Sequence, residues 1–182
     1  MKIILVRHGE SEGNVVHQIN DDPSRPVNLT QRGREQAGLA ADALREMNFT
    51  HAYASEFPRA QQTAAILLRH HTLQLSIDAR LNERRSGMDG QHADAFNDLV
   101  ARDPLHFKPA HGESFLEQMV RLRSFLDEVS ARHPQGIVLA VSHENPILAA
   151  TALTNGDPAQ VALGNIANCA RVDLVWPVAV HV

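Results

Sequence analysis

Residues 1–14, MKIILVRHGESEGN, contain an apolar run that ends directly in a cation, an imidazole and a glycine. Residues 3–6 are typical of a strand buried on both faces, because the run is short, continuous and rich in β-branched residues. Arg7, His8 and Gly9 follow without a break. Adjacent strand residues point to opposite faces, so Arg7 and His8 converge on one site only if the chain turns there. Gly9 makes that turn possible.

The composition indicates one globular domain spanning residues 1–182, since hydrophobic residues make up 43% of the chain. The net charge of -4 argues against nucleic acid or an anionic membrane as a partner. Cys169 is the only cysteine, which excludes an internal disulfide and a cysteine-rich metal site. The first apolar run is too short to predict a signal peptide. We therefore expect a cytoplasmic protein.

Apolar runs alternate with helical patterns along the whole chain. After residues 3–6, further strands are predicted at 51–55, 73–77, 137–142 and 171–176. Helices are predicted at 30–47, 58–71, 94–102, 114–133 and 145–153. This alternation predicts an α/β fold, a three-layer sandwich with a largely parallel central sheet flanked by helices. The irregular stretches 15–28 and 81–93 are expected to be loops over a site.

Two histidines follow predicted strands at points where α/β sheets bind ligands. His8 comes after the first strand, and His143 comes after the strand at 137–142. A lone histidine in such a position is usually only the polar end of a strand. The pair, together with Arg7 and Gly9, favours a shared site at the carboxyl edge of the sheet.

Two charged residues lie in other short blocks. Arg59, in SEFPRAQQTA at 55–64, follows Pro58 in the first turn of a helix, where the helix dipole disfavours a cation. A bound anion would interact with both the guanidinium and the helix N-terminus, so a functional role is favoured. Glu83, in LNERRSGMDG at 81–90, is an acid among arginines, and composition alone does not distinguish it from a solvated ion pair.

The block LVRHGESEGN at 5–14 resembles the signature of the histidine phosphatase superfamily, the phosphoglycerate mutase-like group. The RHG signature is short and weak alone. Further blocks match the family in the same order and cover nearly the whole chain: LTQRGREQA at 29–37, SEFPRAQQTA at 55–64, LNERRSGMDG at 81–90, GES at 112–114 and VSHENPI at 141–147. Together they identify the chain as a member of this family.

The resemblance implies a role for each candidate residue. His8 would be the nucleophile that forms a phosphohistidine, oriented by a backbone carbonyl near Gly9, and Glu83 would protonate the leaving group. The phosphoryl oxygens would be held by Arg7, Asn14, Arg59 and His143. Guanidiniums bind phosphate oxygens in pairs and supply the positive charge, so we expect neither a metal nor another cofactor. Glu83 can act as an acid only if burial or bound phosphate raises its pKa.

The family contains both mutases and phosphatases. LNER resembles the mutase branch, in which the arginine at Arg84 would contact a substrate carboxylate. Mutases carry a tyrosine two residues later, where this chain has Ser86, and their paired-arginine insertion is not evident. We therefore predict a phosphatase acting on a phosphorylated small molecule, as a monomer or homodimer. Alternatives are phosphoglycerate mutase-type transfer, a protein phosphatase (including one for phosphohistidine), and a non-catalytic module that binds phosphorylated ligands.

Glu144 departs from the family pattern, which usually has small residues, often glycines, after the second histidine. A carboxylate about 4 Å from a bound phosphate would cost on the order of 4 kcal/mol per charge pair at an effective dielectric near 20. We therefore expect Glu144 to point away, towards an arginine or the helix N-terminus, or to face a cationic part of the substrate. It is a candidate specificity residue with Arg84 and Ser86.

Overall fold

The computed structural model describes residues 1–177 and contains five strands and seven α-helices in that range. The strands are β1 Lys2–Arg7, β2 His51–Ala54, β3 Leu75–Ile77, β4 Ile137–Ser142 and β5 Arg171–Val175. The helices are α1 Glu12–Val15, α2 Gln31–Leu44, α3 Pro58–Leu67, α4 Ala93–Arg102, α5 Phe115–Arg132, α6 Glu144–Thr154 and α7 Pro158–Ala162.

The strands form one sheet in the order β3-β2-β4-β1-β5. β5 is antiparallel to β1, and the other pairs are parallel. The predicted α/β fold with a largely parallel sheet is therefore confirmed. In the β1–β4 pair, Arg7 lies opposite Ser142, so the next residues, His8 and His143, leave the sheet side by side.

Both faces of the sheet are covered by helices. Residues 3–6 are completely buried, as predicted for the first strand. Ile3 and Leu5 join a core with Phe125 of α5 and Ile147 of α6. The alternate residues of β1 pack on the opposite face against apolar side chains of α2 and α3. The three-layer arrangement follows from this alternation along β1.

Several predicted boundaries were wrong by one to four residues. The largest error is in α3, which ends at Leu67 rather than at residue 71, because a 3₁₀ turn over Leu68–His70 follows it. α2 ends at Leu44 rather than at residue 47, where the chain turns towards β2. β3 begins at Leu75 rather than at residue 73, because it pairs with only three residues of β2. β5 ends at Val175, one residue before the predicted end, although Trp176 N still donates to Met1 O at 2.9 Å; the buried Trp176 ring donates from Nε1 to Asp127 Oδ1 at 2.8 Å. The short helices α1 and α7 were not predicted, since four or five residues show no helical period.

The long helix α5 begins at the predicted capping box. Ser114 Oγ accepts from Glu117 N at 3.1 Å, and Glu117 Oε2 accepts from Ser114 N at 2.9 Å. Among residues 1–177, every helix is too short or too polar to cross a membrane.

Two glycines allow the chain after β1 to pack against the start of α2. A Cβ on Gly33 would lie 2.0 Å from the carbonyl oxygen of Glu10, and a Cβ on Gly9 would lie 2.4 Å from that of Gly33. Both obstacles are backbone atoms, which cannot move aside as a flexible side chain can. This close approach fixes the backbone immediately after His8.

We expect Gly33→Ala to lower the free energy of unfolding by about 1–3 kcal/mol, as is usual for overpacking. The control, Gly38→Ala, lies in the same helix, where a Cβ would meet only Arg69 Nη1 at 3.6 Å. It should stabilise the protein by about 0.5–1 kcal/mol, because alanine is the better helix former. Urea denaturation measures both changes. Equal effects of the two substitutions would contradict the role of the glycine contact.

Candidate active site

The carboxyl ends of β1 and β4 border a cavity of about 150 Å³. All the predicted site residues except His143 line it: Arg7, His8, Asn14, Arg59, Glu83, Arg84, Ser86 and Glu144. His143 is completely buried and lies behind the wall. The sheet and the loops thus bring the predicted residues together.

The ring of His8 is held in one orientation. Its backbone N–H donates to Ser142 O at 3.0 Å, which continues the β1–β4 pairing. Its Nδ1 lies 2.7 Å from Gly9 O, and a carbonyl oxygen can only accept, so Nδ1 carries the proton. Nε2 therefore presents a lone pair. This is the backbone acceptor that the sequence analysis expected near Gly9.

Arg59 connects the two histidines. It lies in the first turn of α3, is 5% exposed, and donates from Nε to His8 Nε2 at 3.2 Å. Its Nη2 lies 3.3 Å from His143 Nδ1. The two imidazole rings are 5.1 Å apart between centroids. One guanidinium therefore contacts both imidazoles.

Both imidazoles are neutral in this arrangement. Burial lowers the pKa of His8 and of His143 well below the ordinary value, and the charge of Arg59 lowers both further. His143 Nδ1 accepts from Arg59, so its Nε2 carries the proton and donates to Ser55 Oγ at 2.8 Å. Burial also lowers the pKa of Arg59 to about 10, which leaves the guanidinium charged at neutral pH.

Arg7 is held by Glu144, the first residue of α6. Glu144 Oε1 lies 3.3 Å from Arg7 Nη1 and accepts from Ile166 N at 2.9 Å. Arg7 Nη1 also donates to Ile166 O. Arg7 Nε is buried without a hydrogen-bond partner among residues 1–177. Glu144 thus makes the expected contact with an arginine, but that arginine is a predicted phosphate ligand, and Glu144 remains in the cavity wall.

Glu83 has the environment that a general acid needs. Its carboxyl lies in the cavity wall, and Oε1 accepts from Arg84 N at 2.8 Å. Burial raises the pKa of Glu83, and the negative charge of Glu144 raises it further. The carboxyl therefore holds its proton to a higher pH than a solvated glutamate.

The candidate specificity residues Arg84 and Ser86 are both buried. Arg84 donates from Nε to Glu113 O at 3.1 Å and from Nη2 to Phe107 O at 2.8 Å. Its Nη1 is buried without a partner in the described part of the chain. Ser86 Oγ donates to Asp21 Oδ2 at 2.7 Å. Arg84 thus has one N–H donor that is not hydrogen-bonded within the described residues, whereas the Ser86 hydroxyl donates to Asp21.

Asn14 is tied to the backbone around His8. Its Oδ1 accepts from Ser11 N at 3.0 Å, which completes a capping box on α1. Asn168 Nδ2 donates to the same oxygen at 3.3 Å and to His8 O at 3.0 Å. A phosphate would therefore meet the amide Nδ2 of Asn14.

The two irregular stretches form a cover over the cavity, as predicted. Residues 15–28 and 81–93 are joined by backbone hydrogen bonds: Ile19 N donates to Gln91 O at 2.9 Å, and Gly90 N donates to Ile19 O at 2.9 Å. Side chains from both stretches line the cavity. We call these paired stretches the cover.

The sequence analysis missed two residues that hold Arg59. Asn20 lies in the cover, and its side-chain oxygen accepts from Arg59 Nη1. Its backbone carbonyl oxygen accepts from Arg59 Nη2 at 3.0 Å. Thr63 Oγ1 donates to Arg59 O at 2.7 Å and accepts from Gly9 N at 3.1 Å. Nothing in the local sequence marks Asn20. Thr63 lies four residues after Arg59 on α3, and that spacing could have indicated a contact.

Within residues 1–177, no group of three or more His, Cys, Asp or Glu side chains is arranged to hold a metal ion. The charged groups that meet in the cavity are guanidiniums and carboxyls.

Comparison with known proteins places the chain among phosphate-transferring enzymes. The profile of the histidine phosphatase superfamily (branch 1) matches residues 3–177. Adenosylcobalamin/alpha-ribazole phosphatase of Escherichia coli K12 is 31% identical over 168 residues, which cover 88% of this chain and 82% of the relative. A probable phosphoglycerate mutase, GpmB of Enterobacter sp. strain 638, is 31% identical over 152 residues, covering 79% and 69%.

A solved structure also resembles the chain closely. The mycobacterial glucosyl-3-phosphoglycerate phosphatase, determined with VO3, superimposes with a TM-score of 0.85 at 26% sequence identity. The match covers 96% of this chain and 90% of that one.

The pKa shifts predict the pH dependence of catalysis. If His8 is the nucleophile and Glu83 the acid, as the sequence predicts, His8 attacks only when neutral, so kcat/KM should fall as the pH drops through its lowered pKa, and activity should persist below pH 6.5. Glu83 donates only when protonated, so kcat/KM should fall as the pH rises through its raised pKa. For an alkyl phosphate, Glu83→Gln should remove the alkaline limb and lower the rate by about 10²–10⁴-fold. An unchanged alkaline limb in this variant would refute the assignment of Glu83.

We expect Glu144→Gln to tighten the binding of inorganic phosphate by roughly two- to tenfold, because charge interactions at partly exposed sites are worth about 1 kcal/mol. The amide keeps an acceptor for Ile166 N but removes the negative charge that faces the dianion. Competitive inhibition by phosphate gives the measurement. Glu128→Gln, which removes a carboxylate paired with Arg80 on another face, is the control. If the variant binds phosphate more weakly, the ion pair of Glu144 with Arg7 favours phosphate binding more than the negative charge of Glu144 opposes it.

Proposed function

This chain belongs to the histidine phosphatase superfamily, and on that premise we propose that it is a metal-independent phosphatase that hydrolyses small phosphomonoesters through a phosphohistidine on His8. The observation that carries this proposal is the state of His8. Its Nδ1 is bound to Gly9 O, its Nε2 has a lone pair, and that nitrogen lies 3.2 Å from the Nε of Arg59. A neutral, oriented imidazole beside a guanidinium suits attack on a phosphate dianion.

In the first step, the phosphoryl oxygens replace His8 and Asn20 as acceptors for Arg59, and they also bind the guanidinium of Arg7, which lines the cavity. Nε2 of His8 attacks phosphorus, and the bond from phosphorus to the ester oxygen breaks. Glu83 gives its proton to that leaving oxygen. The two guanidiniums stabilise the charge on the equatorial oxygens, which is the main protein contribution to phosphoryl transfer.

In the second step, the Glu83 carboxylate takes a proton from water, whose oxygen attacks the phosphorus. The nitrogen–phosphorus bond breaks, which releases inorganic phosphate and restores the lone pair on His8. We propose that His143 supports Arg59 from behind through the 3.3 Å contact with Nη2. Its role as a direct phosphate ligand, like that of Asn14, stays a prediction.

The dimensions of the site support a small substrate. Pockets for drug-sized ligands usually measure about 300–1,000 Å³, and this cavity holds about 150 Å³ beneath the cover. A phosphorylated metabolite with a short leaving group fits better than a phosphorylated side chain on a protein surface. The charge of Arg84, which lines the cavity, favours a leaving group with an acidic substituent.

The mutase alternative has one specific observation in its favour: the probable mutase is as similar in sequence as the phosphatase relative. Against it stands Ser86, which occupies the position of the mutase tyrosine and has its hydroxyl bound to Asp21. A non-catalytic module would not need a nucleophile, a cationic cradle and an acid with a raised pKa in one cavity. The monomeric or dimeric state and the cytoplasmic location stay predictions.

We expect a phosphoenzyme on His8. Rapid mixing with a phosphomonoester in EDTA should yield an acid-labile, base-stable phosphate that mass spectrometry locates on this residue. His8→Ala should abolish both the label and turnover, whereas the exposed His106→Ala should retain them. Turnover that survives in His8→Ala, or that requires added Mg²⁺ or Zn²⁺, would overturn the proposed mechanism.

Hydrolysis should dominate over transfer, because Ser86 leaves space where mutases have a tyrosine. Inorganic phosphate should be released from p-nitrophenyl phosphate and from small metabolite phosphates. Isomerisation of 3-phosphoglycerate with 2,3-bisphosphoglycerate present, followed together with phosphate release, tests the alternative. Rapid isomerisation with little phosphate release would establish the mutase.

A further inference from the structure

An ion pair between Glu113 and Arg121, whose side chain is 20% exposed, lies outside the cavity wall, beneath the segment that carries Glu83. Glu113, just before α5, has a side chain that is 2% exposed, and Arg121 lies on α5 itself. Arg121 Nη2 contacts Glu113 Oε1, and Nε donates to Oε2 at 3.2 Å. This two-point contact fixes the plane of the guanidinium.

The remaining donors of Arg121 bind three backbone carbonyls around the proposed acid. Nη1 donates to Arg80 O at 2.8 Å and to Asn82 O at 3.0 Å. Nη2 also reaches Glu83 O at 3.5 Å. The backbone on the N-terminal side of Glu83 is therefore held by one side chain from a different element.

Glu113 holds the other side of the same segment. Its Oε1 accepts from Arg85 N at 3.2 Å, and its own backbone N–H donates to Arg85 O at 2.9 Å. The ion pair thus binds backbone groups both before and after Glu83. Neither Glu113 nor Arg121 lines the cavity, so neither side chain contacts a substrate bound there.

The position of the Glu83 carboxyl depends on these contacts to the backbone. In the described part of the chain, its hydrogen bond comes from the next backbone N–H, that of Arg84, at 2.8 Å. No side chain of residues 1–177 donates to it, so the backbone of residues 80–85 sets where the proton lies. We propose that Arg121, aligned by Glu113, is a positioning residue for Glu83, a role that rests on the proposed phosphatase activity and on Glu83 as its acid.

A positioning role predicts a selective defect. A misplaced acid slows only reactions whose leaving group needs a proton. An alkyl phosphate such as glycerol 3-phosphate expels a strongly basic alkoxide, whereas 2,4-dinitrophenyl phosphate expels a stable phenolate. A purely structural role would slow both esters alike.

The test compares kcat/KM for these two esters in wild-type protein and in Arg121→Lys. Lysine keeps the charge beside Glu113 but cannot bind three carbonyls in one plane. We expect a loss of roughly ten- to hundredfold with glycerol 3-phosphate, since small displacements of catalytic groups have effects of that size. With 2,4-dinitrophenyl phosphate the change should stay within about twofold, and the alkaline limb of the pH profile should flatten for the alkyl ester.

Glu113→Gln provides a second variant, because it keeps an acceptor for Arg85 N while removing the charge that aligns Arg121. The same selective loss is expected from it. Arg123→Lys, on the same helix but against the Trp176 ring, should change neither rate. Equal losses with both esters, or no loss with either, would overturn the positioning role. If wild-type protein hydrolyses neither ester, the proposed function fails instead, and the positioning role fails with it.

Discussion

The parallel pairing of β1 with β4 is the constraint on which the site depends. Its register places Arg7 opposite Ser142, so His8 and His143 leave the sheet at the same height, with their rings 5.1 Å apart. Arg59 reaches both from the start of α3 and stays charged. Burial disfavours a charge on either imidazole, and repulsion by the Arg59 cation disfavours it further, so both imidazoles stay neutral and donate their protons to Gly9 O and Ser55 Oγ.

The fold could be predicted to the extent that it follows local patterns. Residues 3–6 and the strand β4 are continuous apolar runs, and the Ser114–Glu117 capping box predicts where α5 begins. The errors lie where tertiary packing overrides the local pattern. α2 ends at Leu44 rather than at residue 47, where the chain turns towards β2, and β3 pairs with only three residues of β2. Neither fact is encoded within a window of neighbouring residues.

The site was predictable where function requires particular side chains in fixed motifs. The histidines, Arg7, Arg59 and Glu83 meet in the structure as the motif blocks implied. The supporting contacts join segments that are distant in the sequence: Asn20 reaches Arg59 across 39 residues, and Arg121 reaches Asn82 O across 39. Such residues lie in a polar loop or on an ordinary amphipathic helix. Glu144 was marked by its departure from the family pattern, but its partner was visible only in three dimensions.

The cover shares residues with the catalytic site, because it carries Glu83 and its Asn20 accepts from Arg59. The nucleophile and Arg59 are fixed by the sheet and the start of α3, whereas the two loops of the cover are joined to each other by backbone hydrogen bonds at Ile19 and by the Asp21 carboxylate, which accepts from Ser86. Backbone pairing imposes few demands on side-chain identity. The positions that pair only through the backbone, around Ile19 and Gln91, can therefore change in composition while Glu83 and Asn20 keep their contacts. A new substrate preference can arise in this architecture by remodelling the loops, without rebuilding the reaction.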